Sequence, residues 1–368
     1  MADELLPEQL RIVVISDAEA ERNGVGAYYH DLAEHLRKHV AVIETFSPTF
    51  CNKYRQLTLP LPGDKTQRIW FPPYLKIKRQ VQALQPHVII VPTPGPYGLL
   101  GWYLARRFGV RLIVGYHTHY ERLMELYWNR VLGRITQGYF EVLNKILFRD
   151  SNAVLANSQS MLQAARASGA RNTTLIGTPL PYRFIADPTT SLSPEVRRIF
   201  FAGRLAAEKN VHHIIEAARR LSDFQFAIAG DGPLRPEIER TASELENLDY
   251  LGWLNRDRMR EVIDSIDMLV LPSVVESFGT IAMEAMVRGR LVLVSPACGI
   301  VDWPELLRGL FVINQDESLA AAIQRVASLD RPIRDKKAQM ARRAAEDLND
   351  WNIRNWLDTL RQDAHADS

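Results

Sequence analysis

Short, unbroken apolar runs recur along the chain, separated by longer stretches whose apolar residues fall three and four positions apart. In the first half the runs are Arg11–Ser16 (RIVVIS), Ala41–Thr45 (AVIET), His87–Pro92 (HVIIVP), Arg111–His117 (RLIVGYH) and Ala153–Ser158 (AVLANS). Continuous β-branched runs of this length mark strands covered on both faces of a parallel sheet. The stretch Ala27–His39 (AYYHDLAEHLRKH) has the spacing of an amphipathic helix. The pattern breaks at two turn-rich patches, Gly177–Pro181 and Asp187–Pro194. It then restarts with Arg198–Gly203 (RIFFAG), Phe224–Gly230 (FQFAIAG), Met268–Pro272 (MLVLP) and Leu291–Pro296 (LVLVSP).

Strands that alternate with helices predict a doubly wound parallel sheet, and the interruption predicts two of them. The expected fold class is α/β, with a Rossmann-like domain over 1–186 and a second over 187–346. A closing helix over 347–368 is expected to return toward the first domain. Its Trp351 and Trp356 are expected to dock rather than face water. A length of 368 residues agrees, since single cores stop growing near ~250–300 residues.

Cys51 and Cys298, one in each half with no CxxC, exclude a disulfide framework and a clustered zinc site. A reducing compartment is the default for such a chain. The amino terminus, MADELLPEQL, has no basic segment leading into an apolar one, so no signal peptide is expected. No apolar run approaches the ~20 residues that span a bilayer. The expected location is cytoplasmic, with peripheral contact at the inner face of the plasma membrane. The net charge of +2 conceals an asymmetry: residues 1–190 carry 22 Lys and Arg against 15 Asp and Glu, the remainder 23 against 28. A basic first half suits an anionic surface, although such imbalance is also common without any function. No nucleic-acid partner is expected.

In open α/β sheets ligands gather at the carboxyl ends of the strands, and the informative loops all follow strands. In Pro272–Met286 (PSVVESFGTIAMEAM), Glu276 ends a loop and Glu284 lies eight residues on, read as about two turns into a helix starting near Gly279. Between them the amides of Gly279, Thr280 and Ile281 form a helix start suited to an anion. Two glutamates at this spacing alone are ordinary surface residues; the strand, Glu-x-Phe-Gly, helix and second Glu together are not. In Phe201–Leu221 (FAGRLAAEKNVHHIIEAARRL), Arg204 and Lys209 flank a short loop where two cations can converge on one diphosphate. Ala229–Glu239 (AGDGPLRPEIE) carries a strand-to-helix turn at Asp231-Gly232-Pro233, with a geometric rather than chemical part for Asp231.

These segments resemble the Glu-x7-Glu signature and its companions in retaining glycosyltransferases of family 4, which have the GT-B fold. The likeness runs from Arg11 to the final helix. It implies two Rossmann-like domains facing across a cleft, whose closure would form the site. It assigns donor-sugar contact to Glu276, ribose contact to Glu284, and neutralisation of the leaving diphosphate to Arg204 and Lys209. It places the base near Trp253 and Leu254. In the first half it assigns sugar contact to His117, with His119 a weaker candidate, and close approach to the donor phosphate to Gly24. Two positions depart from the family: Asn23 stands where it usually has glycine, and Cys298-Gly299 stands for its glycine pair.

The expected reaction is hexose transfer from a nucleoside diphosphate sugar, UDP-sugar before GDP-mannose, to a hydroxyl acceptor, with retention. No Asp-x-Asp motif is present, so no divalent metal and no other cofactor is expected. Tyr120–Asp150 mixes Leu123, Leu126, Tyr127, Val131 and Ile135 with Arg122, Arg130, Arg134, Lys145 and Arg149. Such a basic amphipathic stretch fits a membrane interface as well as a helix packed on the sheet. In glycolipid synthases of the family that the chain resembles the first domain faces the membrane, and the charge asymmetry agrees, so the resemblance implies a lipid acceptor such as diacylglycerol before lipopolysaccharide, polysaccharide or a small metabolite. A phosphorylase, an epimerase and a non-catalytic nucleotide-sugar-binding protein are the other classes that this fold accommodates.

Overall fold

The computed structural model describes residues 6–19, 24–48, 57–61, 64–117 and 130–362. The chain divides into two compact units, one of Met1–Pro179 with Asp350–Ser368, the other of Leu180–Asn349.

The first unit contains strands β1 (Arg11–Ile15), β2 (Val42–Phe46), β3 (Thr58–Leu61), β4 (Asp64–Trp70), β5 (Val88–Val91), β6 (Arg111–Tyr116), β7 (Ala153–Ala156) and β8 (Thr173–Leu175). Six form a parallel sheet in the order β2-β1-β5-β6-β7-β8, while β3 and β4 make a separate antiparallel hairpin. Successive strand residues face opposite ways, which explains why the apolar runs are unbroken. Val13 and Ile15 meet Ile89, Val91, Leu112 and Val114 on one face, under helices Tyr74–Leu84, Pro96–Phe108, Arg130–Asp150 and Gln159–Ala167. Ile12 and Val14 meet Val88, Ile90 and Ile113 on the other, under helix Gly24–Leu36 and the end of helix Arg331–Arg361.

Chain order reverses between β1 and β5, and Asp17 fastens the two loops there. Its carboxylate accepts from Thr93 Oγ1 at 2.7 Å and from the amides of Gly95 (3.1 Å), Tyr97 (2.8 Å) and Gly98 (3.1 Å). It thereby caps the positive end of helix Pro96–Phe108. A Cβ at Gly95 would lie 2.5 Å from that carboxyl group.

The second unit holds β9 (Arg198–Ala202), β10 (Gln225–Ala229), β11 (Leu248–Gly252), β12 (Met268–Leu271), β13 (Leu291–Val294) and β14 (Phe311–Val312). They pair in parallel in the order β11-β10-β9-β12-β13-β14, with the reversal between β9 and β12. The segment leading into this sheet is held by two buried arginines. Arg288 donates to both oxygens of Asp264 and to the carbonyls of Phe184, Asp187 and Pro188, all within 2.6–3.0 Å. Arg290 donates to Ile266 O at 3.0 Å and to Thr190 O.

Helix Arg331–Arg361 serves both units in turn. Asn349 accepts from Leu180 N at 2.8 Å and Arg334 donates to Pro194 O at 2.7 Å in the second. In the first, Trp356 Nε1 donates to Tyr28 Oη at 2.8 Å and Arg111 reaches Thr359 O at 2.8 Å. Trp356 is 0% exposed, whereas Trp351, expected to dock as well, is 38% exposed. The two lie five residues apart, so they face different sides of the helix. Among the described residues no helix is long and apolar enough to cross a membrane.

Candidate active site

The densest constellation sits at the reversal point of the second sheet, where loops after β9 and β12 lie side by side. The β9 loop makes a 3-10 turn at Ala207–Lys209 and leaves it through Asn210, whose φ of 53° ends the turn and starts helix Val211–Arg220. Asn210 Nδ2 donates to Pro272 O at 3.2 Å. Glu208 is buried; its carbonyl accepts from Val274 N at 2.9 Å, and its carboxylate from Arg204 at 3.3 Å. The two loops are thus joined through backbone groups, which fixes the side chains they carry. Lys209 Nζ and Glu276 Oε2 are 2.5 Å apart, each side chain 17% exposed. Burial alone pulls the Lys209 ammonium down, but the Glu276 carboxylate more than offsets it and holds it above the usual lysine range.

Glu276 is also held by its backbone. It bridges Cys298 in parallel, and its carbonyl accepts from Gly299 N at 2.9 Å. Burial, with the Glu276 carboxylate beside it, pushes the Cys298 thiol up to about 12, so the thiol stays protonated. Gly279 then caps helix Thr280–Val287 at φ 97°, ψ 58°, a left-handed geometry that only glycine takes readily. The first amides of the helix have no partner within it and carry its positive dipole end. Glu284 is the fifth residue of this helix, so it stands a little over one turn in, not two. It is buried and accepts from Arg256 at 2.5 Å. Burial raises its carboxyl above the usual range, with Arg256 opposing.

Sequence reasoning named Arg204, Lys209, Gly279, Thr280, Ile281, Glu276 and Glu284, and the fold brings them to one sheet reversal. It missed Glu208 and Arg256. Glu208 lay unread inside the Glu-Lys-Asn segment, while Arg256 carries no local signal. Leu254 is half-buried just after β11, beside an exposed Trp253 and ahead of Asn255, which caps helix Arg256–Ser265. The Asp231 turn is a backbone fit: Leu205 N donates to Asp231 O at 3.0 Å, and a Cβ at Gly230 would lie 1.8 Å from Gly203 O.

In the first unit His117 follows β6 and is buried, with Nε2 2.9 Å from Tyr29 Oη. Burial lowers its pKa to about 3, so the imidazole is neutral. Gly24 opens helix Gly24–Leu36, is exposed, and a Cβ there would meet nothing within 4 Å. Asn23, His119, Arg122, Leu123, Leu126 and Tyr127 lie outside the described residues. Within helix Arg130–Asp150, Tyr139, Val142 and Ile146 are exposed, beside exposed Lys145 and Arg149.

Residues 187–347 match the family described as "Glycosyl transferases group 1", and residues 22–180 match "Glycosyltransferase Family 4". The chain is 34% identical over 143 residues to 2-deoxystreptamine glucosyltransferase of Streptomyces kanamyceticus, covering 37% of this chain and 35% of that one. It is 32% identical over 149 residues to a GDP-mannose-dependent alpha-(1-6)-phosphatidylinositol dimannoside mannosyltransferase of Mycobacterium tuberculosis, covering 39% and 38%. Each alignment thus spans little more than a third of the relative's length. Among solved structures, HepE of Anabaena in complex with UDP and glucose superposes with a TM-score of 0.71 at 18% identity, over 96% of this chain and 100% of that one. At that identity the likeness is one of fold. With both halves matched, and with two parallel-sheet α/β units, the chain belongs to the group 1 and family 4 glycosyltransferases and has the GT-B fold.

Proposed function

We propose that this protein transfers a hexose from a nucleoside diphosphate sugar, a UDP-sugar before GDP-mannose, to the hydroxyl of a membrane lipid such as diacylglycerol, with retention of configuration. The observation that carries the reading is the meeting of Arg204, Lys209, Glu276, Glu284 and the start of helix Thr280–Val287 at one sheet reversal. Two cations and a helix start match the charge of a diphosphate. Without donor, Lys209 is neutralised by Glu276; a diphosphate competes for the ammonium and frees the carboxylate to accept from sugar hydroxyls. Glu284 accepts from the ribose, with Arg256 favouring its charged form. His117 hydrogen-bonds the sugar as a neutral imidazole, and Gly24 lies against the donor phosphate.

In the reaction the bond from the anomeric carbon to the diphosphate oxygen breaks. The acceptor oxygen bonds to that carbon from the same face, and its proton passes to the departing diphosphate. Charge growing on the diphosphate is met by Arg204, Lys209 and the amides of Gly279, Thr280 and Ile281, a preorganised electrostatic contribution. Because these groups supply positive charge, we propose that no divalent metal is needed.

The lipid reading is supported by the basic first half and by exposed Tyr139, Val142 and Ile146 beside Lys145 and Arg149, a pattern suited to an anionic bilayer surface. The mycobacterial relative, named for a phosphatidylinositol mannoside, points the same way. The streptomycete relative, named for 2-deoxystreptamine, favours a second reading with a soluble acceptor. The test follows nucleoside diphosphate release from UDP- and GDP-sugars in EDTA, with and without liposomes of anionic lipid and diacylglycerol, beside Glu276→Ala. Release that needs the liposomes and is lost in the variant supports the lipid reading. Release without lipid supports the second. Binding without release leaves a nucleotide-sugar-binding protein, and abolition by EDTA overturns the metal-free mechanism.

A further inference from the structure

Tyr28, Tyr29, His117 and Trp356 meet as a buried cluster on one face of the first sheet. The hydroxyl of Tyr28 is used twice: it accepts from Trp356 Nε1 at 2.8 Å and donates to Gly177 O at 3.0 Å. The hydroxyl of Tyr29 lies 2.9 Å from His117 Nε2, and the two rings meet edge-on at 86° with centroids 5.3 Å apart. Directly beneath this contact is Gly115. A Cβ there would sit 2.1 Å from Tyr29 Oη and 2.8 Å from His117 Nε2. A strand interior favours β-branched and aromatic residues, and glycine within one marks a close approach. The single glycine of RLIVGY therefore has a reason: the phenol and the imidazole occupy the space its side chain would take.

Both groups are neutral, since burial drives His117 down to about 3 and Tyr29 well above the usual tyrosine range. One proton lies between them. A phenolic O–H is the stronger donor and an unprotonated imidazole nitrogen the stronger acceptor, so the imidazole's own proton belongs on Nδ1. We propose that Tyr29 is a positioning residue for His117: its hydroxyl donates to Nε2, holding the imidazole as the Nδ1–H tautomer in one orientation, with Gly115 leaving the room for the pair. His117 then offers a fixed donor, and not a lone pair, to whatever Nδ1 meets. The catalytic consequence rests on the reading of His117 as a donor-sugar contact; the tautomer does not.

The test uses full-length protein labelled with ¹⁵N-histidine. Long-range ¹H–¹⁵N spectra of the His117 ring are compared for wild type, Tyr29→Phe, Tyr28→Phe and Gly115→Ala. Nucleotide-release kinetics accompany them. The expected wild-type ring has Nδ1 protonated and Nε2 as an accepting nitrogen. Tyr29→Phe, which removes one oxygen and is mild enough to fold, mixes the tautomers. It lowers kcat roughly tenfold, as loss of an orienting partner does for ligating histidines, with little change in KM. Gly115→Ala, if it folds, has the same spectral effect. Tyr28→Phe deletes a hydroxyl from the other ring against His117, tilted at 49° with centroids 4.6 Å apart, and leaves the tautomer as it was. Protonated Nε2 in wild type, an unchanged ring in Tyr29→Phe, or an equal change in Tyr28→Phe overturns the proposal. So does loss of the tautomer with kcat intact. Full activity in His117→Ala overturns the sugar-contact reading and the positioning role with it, and is told apart because the spectra do not depend on it.

Discussion

Lys209 and Glu276 hold one another at 2.5 Å across two loops that lie 67 residues apart in the chain. Each is the other's compensation for partial burial, and in the proposed reaction each also has a task. Removing one leaves the other uncompensated, a loss of roughly 3 kcal/mol for a well-buried pair and less for this one. Lys209→Met should therefore lower both stability and nucleotide release. The double variant Lys209→Met with Glu276→Gln should recover most of the stability, measured by urea unfolding, and none of the turnover. Recovery of turnover would show that the pair is structural only.

Arg256 is expected to govern the affinity for nucleotide through Glu284. Burial raises the Glu284 carboxyl and Arg256 opposes it. In Arg256→Met the carboxyl rises further, so more of it is protonated toward low pH and it is lost as an acceptor. UDP binding, measured by calorimetry, should weaken, and weaken more in acid than in alkaline solution, where the proton is stripped again and the acceptor restored. An equal loss in both would assign Arg256 a direct contact with the ligand instead.

Two glycines of the second unit should differ sharply when changed to alanine. Gly279→Ala places a Cβ at φ 97°, 3.3 Å from Leu271 Cδ1, a cost of roughly 1–2 kcal/mol from the left-handed backbone. Gly230→Ala drives a Cβ to 1.8 Å from the Gly203 carbonyl, a backbone atom and not a flexible side-chain end, and should cost roughly 4 kcal/mol or more. Thermal unfolding measures the order. A milder Gly230→Ala would mean that the β9 and β10 loops separate easily.

The segment between Phe184 and Thr190 should depend on Arg288. Its five contacts satisfy a fully buried guanidinium in one planar fork. Arg288→Lys should fail to restore them, because an ammonium cannot donate to partners spread around a plane. Faster cleavage of residues 184–190 by protease in both Arg288→Lys and Arg288→Met is the expected result. Protection in the lysine variant would reduce Arg288 to a simple charge.

His117 makes stability depend on pH. Its native pKa is about 3 against an ordinary value of 6.5, so between these the unfolded chain binds a proton that the native chain does not. Stability is complete above 6.5 and falls as the solution is acidified, by about 2 kcal/mol between about pH 7 and pH 5. His117→Gln should lose less over that interval in urea titrations. Equal losses would mean that water reaches the imidazole.

The parts legible in the sequence were those written locally. RIVVI and LVLV announce themselves because a strand covered on both faces has no polar position to interrupt it. Thr173–Leu175 and Phe311–Val312 were not readable, being two- and three-residue edge strands only half covered, and neither was the Thr58–Trp70 hairpin, with Pro60 and a polar second strand. β11 reads LDYLG, with alternating burial that resembles a loop. The site divides the same way. Glu276 and Glu284 share one loop and helix, and Arg204 and Lys209 share another. Arg256 to Glu284 and Tyr29 to His117 are pairings across strand order, which no local pattern records.

Trp356 ties the last turns of the chain to Tyr28, 328 residues earlier. In topology, Leu180–Asn349 is an insertion within a unit whose two pieces flank it in the chain. During synthesis the second unit can close as soon as it has emerged, but the first, although made earlier, must wait for Trp356 and Leu360 to leave the ribosome. Until then the side of its sheet under helix Gly24–Leu36 stays partly uncovered. The half of the protein translated first is therefore completed only by residues translated among the last.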